Sequence, residues 1–165
     1  MRVAQIRSLD ITNGEGIGVS LFTQGCPFHC KNCFNPETWD FKGGYPYNQE
    51  IKKQLLELVS KPYIERFSIL GGEPFLLKNK IELQDLIHDI KIKNPNIKIW
   101  AYSGNSFEKL LPEFLDLLKN IDILVDGPFI DELKDFNLKF KGSTNQRIID
   151  VQKSLIENNI VLYIQ

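Results

Sequence analysis

The chain has 165 residues, 42% of them hydrophobic and 25% charged, and its 20 Lys and Arg against 21 Asp and Glu leave a formal net charge of −1. That profile fits an ordinary globular chain with a single core, so residues 1–165 are expected to form one domain. It excludes the dense basic surface that nucleic acid or an anionic membrane requires. No apolar run approaches the roughly 20 residues that cross a bilayer, and Met1–Gly14 lacks the apolar segment of a signal peptide; a cytoplasmic location is the expectation.

Taken in chain order, Ile17–Thr23 alternates as a strand and runs straight into the cysteine-containing loop. Asn48 is placed to cap a helix reaching about Ser60, with Ile51, Leu55, Leu58 and Val59 on one face. Arg66–Leu70 is a short buried strand ending at Gly71-Gly72. Asn79 starts a second helix, with Leu83, Leu86, Ile87 and Ile90 at helical spacing, stopped before Asn94-Pro95. Ile97–Ser103 is the next strand, and Asn105 opens a helix towards Leu118 with an interruption expected at Pro112. Ile121–Val125 follows, ending at Asp126-Gly127-Pro128, and a helix near Asp150–Asn158 and a strand over Ile160–Ile164 close the series.

Strands alternating with helices predict an α/β fold with a mainly parallel sheet. A closed eight-unit barrel needs about 250 residues, so an incomplete, open (β/α) barrel is the expected architecture. In such sheets the functional loops gather at the carboxyl ends of the strands. Gly25–Phe34, Gly71–Pro74, Tyr102–Gly104 and Asp126–Pro128 would then lie together.

The chain has three cysteines, all within Cys26–Cys33. An odd, tightly spaced set is a poor disulfide framework, since such short loops cannot staple distant parts of a fold. The spacing Cys26-x-x-x-Cys30-x-x-Cys33 directs three thiolates from one loop towards a common centre. Iron–sulfur clusters normally take four Cys ligands; three leave one iron open to a small molecule. A structural zinc site needs a fourth donor, for which His29 is the nearby candidate, although a loop role suits it better. His88, Trp39 and Trp100 read as structural residues.

The cysteine loop after one strand and Gly71-Gly72-Glu73-Pro74 after another resemble the radical S-adenosylmethionine (SAM) superfamily. Asn13-Gly14-Glu15-Gly16, SLFTQGCPFHCKNCFN, Asp126-Gly127-Pro128-Phe129 and Gly142–Arg147 narrow the resemblance to the activating proteins of anaerobic (class III) ribonucleotide reductase. The resemblance spans nearly the whole chain. It implies one 4Fe-4S cluster held by Cys26, Cys30 and Cys33, SAM as the second cofactor, and the large reductase subunit as protein substrate, on which a glycyl radical is generated. It also implies flavodoxin or ferredoxin as electron donor.

By position, Asn32, Cys33 and Phe34 approach the adenine side of SAM. Gly71, Gly72 and Glu73 approach its methionine part, Glu73 as acceptor for the ammonium group, and Tyr102 and Ser103 the ribose. Asp126 is a site residue or a turn former, and Arg147 binds the SAM carboxylate or the reductase tail, or supports the last crossover. Two positions depart from the pattern. Asn32 stands where an aromatic residue is common, and Gly18 stands where related activases often carry Arg. The rival functions are another radical SAM enzyme, either a different glycyl-radical activase or a small-molecule enzyme such as a 7-carboxy-7-deazaguanine synthase, and a non-catalytic metal or redox module.

Overall fold

The computed structural model describes residues 1–164. Its strands are β1 (Arg2–Asp10), β2 (Gly18–Thr23), β3 (Tyr45–Pro46), β4 (Arg66–Gly71), β5 (Lys98–Tyr102), β6 (Ile123–Asp126), β7 (Arg147–Asp150) and β8 (Leu162–Ile164). Its helices are α1 (Gln49–Val59), α2 (Lys80–Lys93), α3 (Phe107–Leu118) and α4 (Val151–Glu157). All eight strands share one sheet in the order β3-β1-β2-β4-β5-β6-β7-β8.

Only the centre of that sheet is parallel. The pairs β2–β4, β4–β5 and β5–β6 run parallel, whereas β1–β2, β1–β3, β6–β7 and β7–β8 are antiparallel. The expectation of a mainly parallel sheet therefore needs correction: it holds for four strands and fails for the flanks. The reason is connection length. A parallel neighbour requires a crossover of a dozen or more residues, usually helical. The short connection between β1 and β2, from Asp10 to Gly18, allows only a hairpin-like return. The link from β6 to β7 carries no α-helix, and α4 has only seven residues, so β8 starts beside the end of β7 and runs back along it.

The helices follow the sequence closely. The Asn48 side chain accepts a hydrogen bond from Ile51 N at 3.0 Å and starts α1, which buries Ile51, Leu55 and Val59. Helix α2 buries Leu83, Leu86, Ile87 and Ile90. Helix α3 starts two residues after Asn105 and continues unbroken past Pro112, because its strongly apolar face holds Leu110, Phe114, Leu117 and Leu118 in the core.

Side chains alternate across each strand. One face of the sheet, with Val19, Leu21, Phe67, Ile69, Ile99, Ala101, Leu124 and Ile149, joins the helices in the main core. On the other, Trp100, Ile123, Val125 and Ile148 form a second cluster with Tyr102 and Phe140 packed against it. This face also carries Arg66 and Ser68, both fully buried. Among the described residues no helix covers it; the β1–β2 and β6–β7 connections do, and between them the candidate site opens.

Candidate active site

A cavity of about 590 Å³ lies where the loops following β2, β4, β5 and β6 meet, with Cys26, Cys30 and Cys33 in its wall. The cysteine loop is fixed at its root: Gly25 N donates to Thr38 O at 2.8 Å and Cys26 N to Trp39 O at 3.2 Å. Inside it, Cys33 N donates to Cys30 O at 3.1 Å, and His29 and Asn32 adopt left-handed backbone angles, φ +47° and +55°. His29 stacks on Trp39 with ring centroids 4.7 Å apart, a loop-bracing contact. All three cysteines are free and partly exposed. Burial pushes the Cys26 and Cys30 thiols above the ordinary value, so metal binding must displace firmly held protons.

The Gly71–Pro74 segment lies directly on the root of the cysteine loop. Gly72 N donates to Thr23 O at 2.8 Å and Glu73 N to Gly25 O at 2.9 Å. This approach requires glycine: Gly71 has φ +104°, and a Cβ on Gly72 would meet the Gly25 carbonyl. From behind, the buried Asn79 amide donates to Pro74 O at 3.2 Å, tying the segment to the start of α2.

The Glu73 carboxylate is buried. It accepts from Phe75 N at 3.0 Å, Ser103 Oγ at 2.9 Å and Gly104 N at 2.8 Å. Burial pushes its pKa up to about 7, against the opposing pull of those hydrogen bonds. The Tyr102–Gly104 turn packs on the cysteine loop, where a Cβ at Gly104 would lie 2.6 Å from the Phe28 ring.

The later motifs form one clamp. Gln146 Oε1 accepts from Gly142 N at 2.8 Å and Ser143 N at 3.2 Å, while its Nε2 donates to Gly127 O at 3.0 Å. Asn145 Nδ2 donates to Pro128 O at 2.8 Å. The Gly142–Arg147 and Asp126–Phe129 segments are thus bound to each other. The first packs on Phe34 beyond the last cysteine, since a Cβ at Gly142 would lie 2.7 Å from that ring.

Comparison with known proteins now bears on this geometry. Residues 12–149 match the family described as a 4Fe-4S single cluster domain. The anaerobic ribonucleoside-triphosphate reductase-activating protein of Vibrio cholerae is 35% identical over 150 residues, covering 90% of this chain and 97% of that protein. Its counterpart in enterobacteria phage T4 is 33% identical over 90% of this chain and 93% of that protein. The Escherichia coli K12 protein is 32% identical, with 88% and 96% covered. The chain belongs to the family of anaerobic ribonucleoside-triphosphate reductase-activating proteins.

The donor chemistry fits a 4Fe-4S cluster: three thiols, the ligand type that iron–sulfur clusters take, share one cavity wall. Among the described residues no three His, Cys, Asp or Glu side chains are grouped as for a single metal ion.

Of the residues expected at the activase site, Cys26, Cys30, Cys33, Phe34, Gly71, Gly72, Glu73, Tyr102 and Ser103 line the cavity. Three others do not. Asn32 turns outward and donates to Asp131 Oδ2 at 2.7 Å. Asp126 is buried, and its carboxylate accepts from Phe107 N at 2.7 Å and from Arg147 Nε at 3.0 Å. Arg147 also meets Glu108 through both terminal nitrogens, at 3.0 and 2.8 Å. Asp126 and Arg147 thus join β6, β7 and the start of α3.

Sequence reasoning did not find Arg7, Thr12 and Asn13, which also line the cavity. Most of β1 is not buried, so it lacks the apolar alternation that would have announced a strand. The available signal was the glycine pair of Asn13-Gly14-Glu15-Gly16.

Proposed function

We propose that this protein is a radical SAM activase that cleaves S-adenosylmethionine reductively at a 4Fe-4S cluster and generates the glycyl radical on anaerobic ribonucleoside-triphosphate reductase. The observation that carries this reading is the meeting of three thiols with Gly72 and Glu73 in one cavity, in a chain whose relatives are named as activating proteins of that reductase. When bound, the cluster supplies one electron to the sulfonium of SAM and an iron free of protein ligand. Cys26, Cys30 and Cys33 hold it. With a glycine Cα of the reductase as hydrogen donor, cleavage would give methionine and 5′-deoxyadenosine and leave the radical on that glycine.

Each residue then has a task. Glu73, fixed by three donors, accepts a charge-assisted hydrogen bond from the methionine ammonium. Gly71 and Gly72 let the backbone come close to the same end of SAM. Phe34 covers the adenine side with Cys33, Ser103 and Tyr102 flank the ribose, and the Phe34–Gly142 contact keeps water from the radical. Asn32, Asp126 and Arg147 act from behind this layer by holding the loops that bear it. The sheet is read as an incomplete, open (β/α) barrel, and its open mouth is covered by the reductase during reaction. Flavodoxin or ferredoxin in the cytoplasm is the electron source, because all three cysteines are committed to one cluster.

The test is direct. Anaerobically reconstituted protein with SAM, a low-potential reductant and the reductase is expected to give 5′-deoxyadenosine and a glycyl doublet by electron paramagnetic resonance. SAM cleavage without that doublet, with a competent reductase present, would move the protein to another radical SAM reaction. No cleavage at all would remove it from the superfamily's chemistry.

A further inference from the structure

Arg66 opens β4 on the face away from the helices and has no exposed surface. Every nitrogen of its guanidinium is engaged. Nε donates to Glu15 O at 3.2 Å, Nη1 to Asn13 O at 2.7 Å and to Ser68 Oγ, and Nη2 to Asp10 O at 2.7 Å and Asp10 Oδ1 at 3.3 Å. Three carbonyls of the β1–β2 connection therefore point inward at one buried cation. Asp10 completes the arrangement, its carboxylate accepting from Thr12 N at 2.8 Å and Asn13 N at 3.0 Å. The Arg66 stem fills the space beside Gly14, where a Cβ would lie 2.5 Å from Arg66 Cδ.

Two further observations give this knot a role. Gly18 lies directly opposite Arg66 in the parallel β2–β4 register, and a Cβ there would be 2.7 Å from Arg66 Cζ. The guanidinium and the bare backbone of the neighbouring strand therefore form one unit. The loop held by Arg66 also faces the cavity with Thr12 and Asn13, beside Tyr102, whose buried hydroxyl has no protein partner. Asn13 O is bonded to Ser68 Oγ at 2.6 Å, three residues before Gly71. At about 3.3 Å per residue this wall lies roughly 10 Å below the Gly72–Glu73 end.

We infer that Arg66 is a positioning residue for the protein substrate: through the Asp10–Gly16 loop it shapes the lower wall of the cavity, against which the glycine-bearing segment is held. The inference rests on the activase reading, in which SAM occupies the upper end beside Glu73 and the cysteines. The second reactant must come within reach of the adenosyl carbon from the remaining side. On that side the partly exposed Arg7 guanidinium, 3.7 Å from Asp10 Oδ2, lines the wall and suits the carbonyl oxygens of an extended peptide.

The test compares wild type, Arg66→Lys and the exchange G18R/R66G, which returns a guanidinium from the opposite strand. A lysine ammonium cannot serve acceptors spread around a planar fork. In Arg66→Lys, amide hydrogen exchange across residues 11–16 is expected to accelerate, with iron content and SAM binding by equilibrium dialysis unchanged. Glycyl radical formed per 5′-deoxyadenosine is expected to drop by up to about 100-fold, the scale of a misplaced reactant. The exchange variant should restore that ratio. A folded Arg66→Lys with wild-type loop exchange and coupling would overturn the inference, as would SAM affinity falling in parallel with radical yield. If Arg66→Lys does not fold, the exchange variant decides: folded but uncoupled, it overturns the inference; coupled, it supports it. Failure of the wild type to cleave SAM would instead sink the activase reading.

Discussion

At Glu73, burial and hydrogen bonding pull in opposite directions. Burial dominates and lifts the pKa to about 7 from the ordinary 4.5, despite the donors Gly104 N, Phe75 N and Ser103 Oγ. The folded chain therefore takes up a proton more readily than the unfolded one. The stability linked to Glu73 is fully present below about 4.5 and is lost as pH rises towards about 7. A methionine ammonium needs the ionised form, so SAM affinity is expected to rise with pH through the same window. Glu73→Gln should flatten both dependences, as followed by thermal melts and by SAM titration at several pH values. The amide must also face a backbone N–H, costing about 1–3 kcal/mol. A Glu73→Gln variant that kept the wild-type pH profile would place the titrating group elsewhere.

At the scale of elements, one arginine joins three of them. Arg147 on β7 pairs with Asp126 on β6 and with Glu108 in the first turn of α3, whose first N–H, that of Phe107, is satisfied by Asp126. The hydrogen bond from Arg147, together with its charge, lowers Glu108 to about 2 although burial opposes this. Arg147→Ala leaves the Asp126 carboxylate buried with only the Phe107 amide, and a loss of about 2 kcal/mol in denaturant unfolding is expected. The loop from Gly127 to Gln146 should loosen with it. SAM binding should weaken less than stability does, because Arg147 lies outside the cavity wall. A variant that unfolds like wild type but has lost SAM would instead put Arg147 on the cofactor.

For the molecule as a whole, the two sides of the sheet carry different burdens. The helix-covered face contains the large apolar cluster, from Leu21 and Phe67 to Leu86 and Leu117, and no cysteine contributes to it. The fold therefore does not depend on metal in the way a zinc finger does. Anaerobic iron chelation, or Cys30→Ala, is expected to abolish SAM cleavage. Far-UV circular dichroism and a cooperative melt should remain; collapse of the helical signal on chelation would show that the cluster is part of the core. Among the described residues no helix is long and apolar enough to cross a membrane.

Much of this was legible in the chain itself. The four helices, the parallel strands and the loops at their carboxyl ends follow from apolar periodicity and from caps such as Asn48, which are local properties. The thiol spacing is local too, and the glycines at 71 and 72 mark a backbone that must approach another. What the sequence could not display was partnership across distance. Strand β1 buries little and so carries no alternation; β7 has only four residues; the antiparallel flanks depend on connection geometry. Arg66 reads in the chain only as the charged first residue of a short buried strand, yet folding makes it the buried centre of a loop that lies 51 residues away at Glu15, with Gly18 opposite to admit it. Likewise Asp126 and Arg147 become partners of each other and of α3 only when the sheet is assembled. The chemistry we propose could be read from residue order, because donor type and spacing are both contained in the short run Cys26–Cys33. Which charges support that chemistry from behind could not, because a buried ion's role is set by the acceptors that folding brings around it.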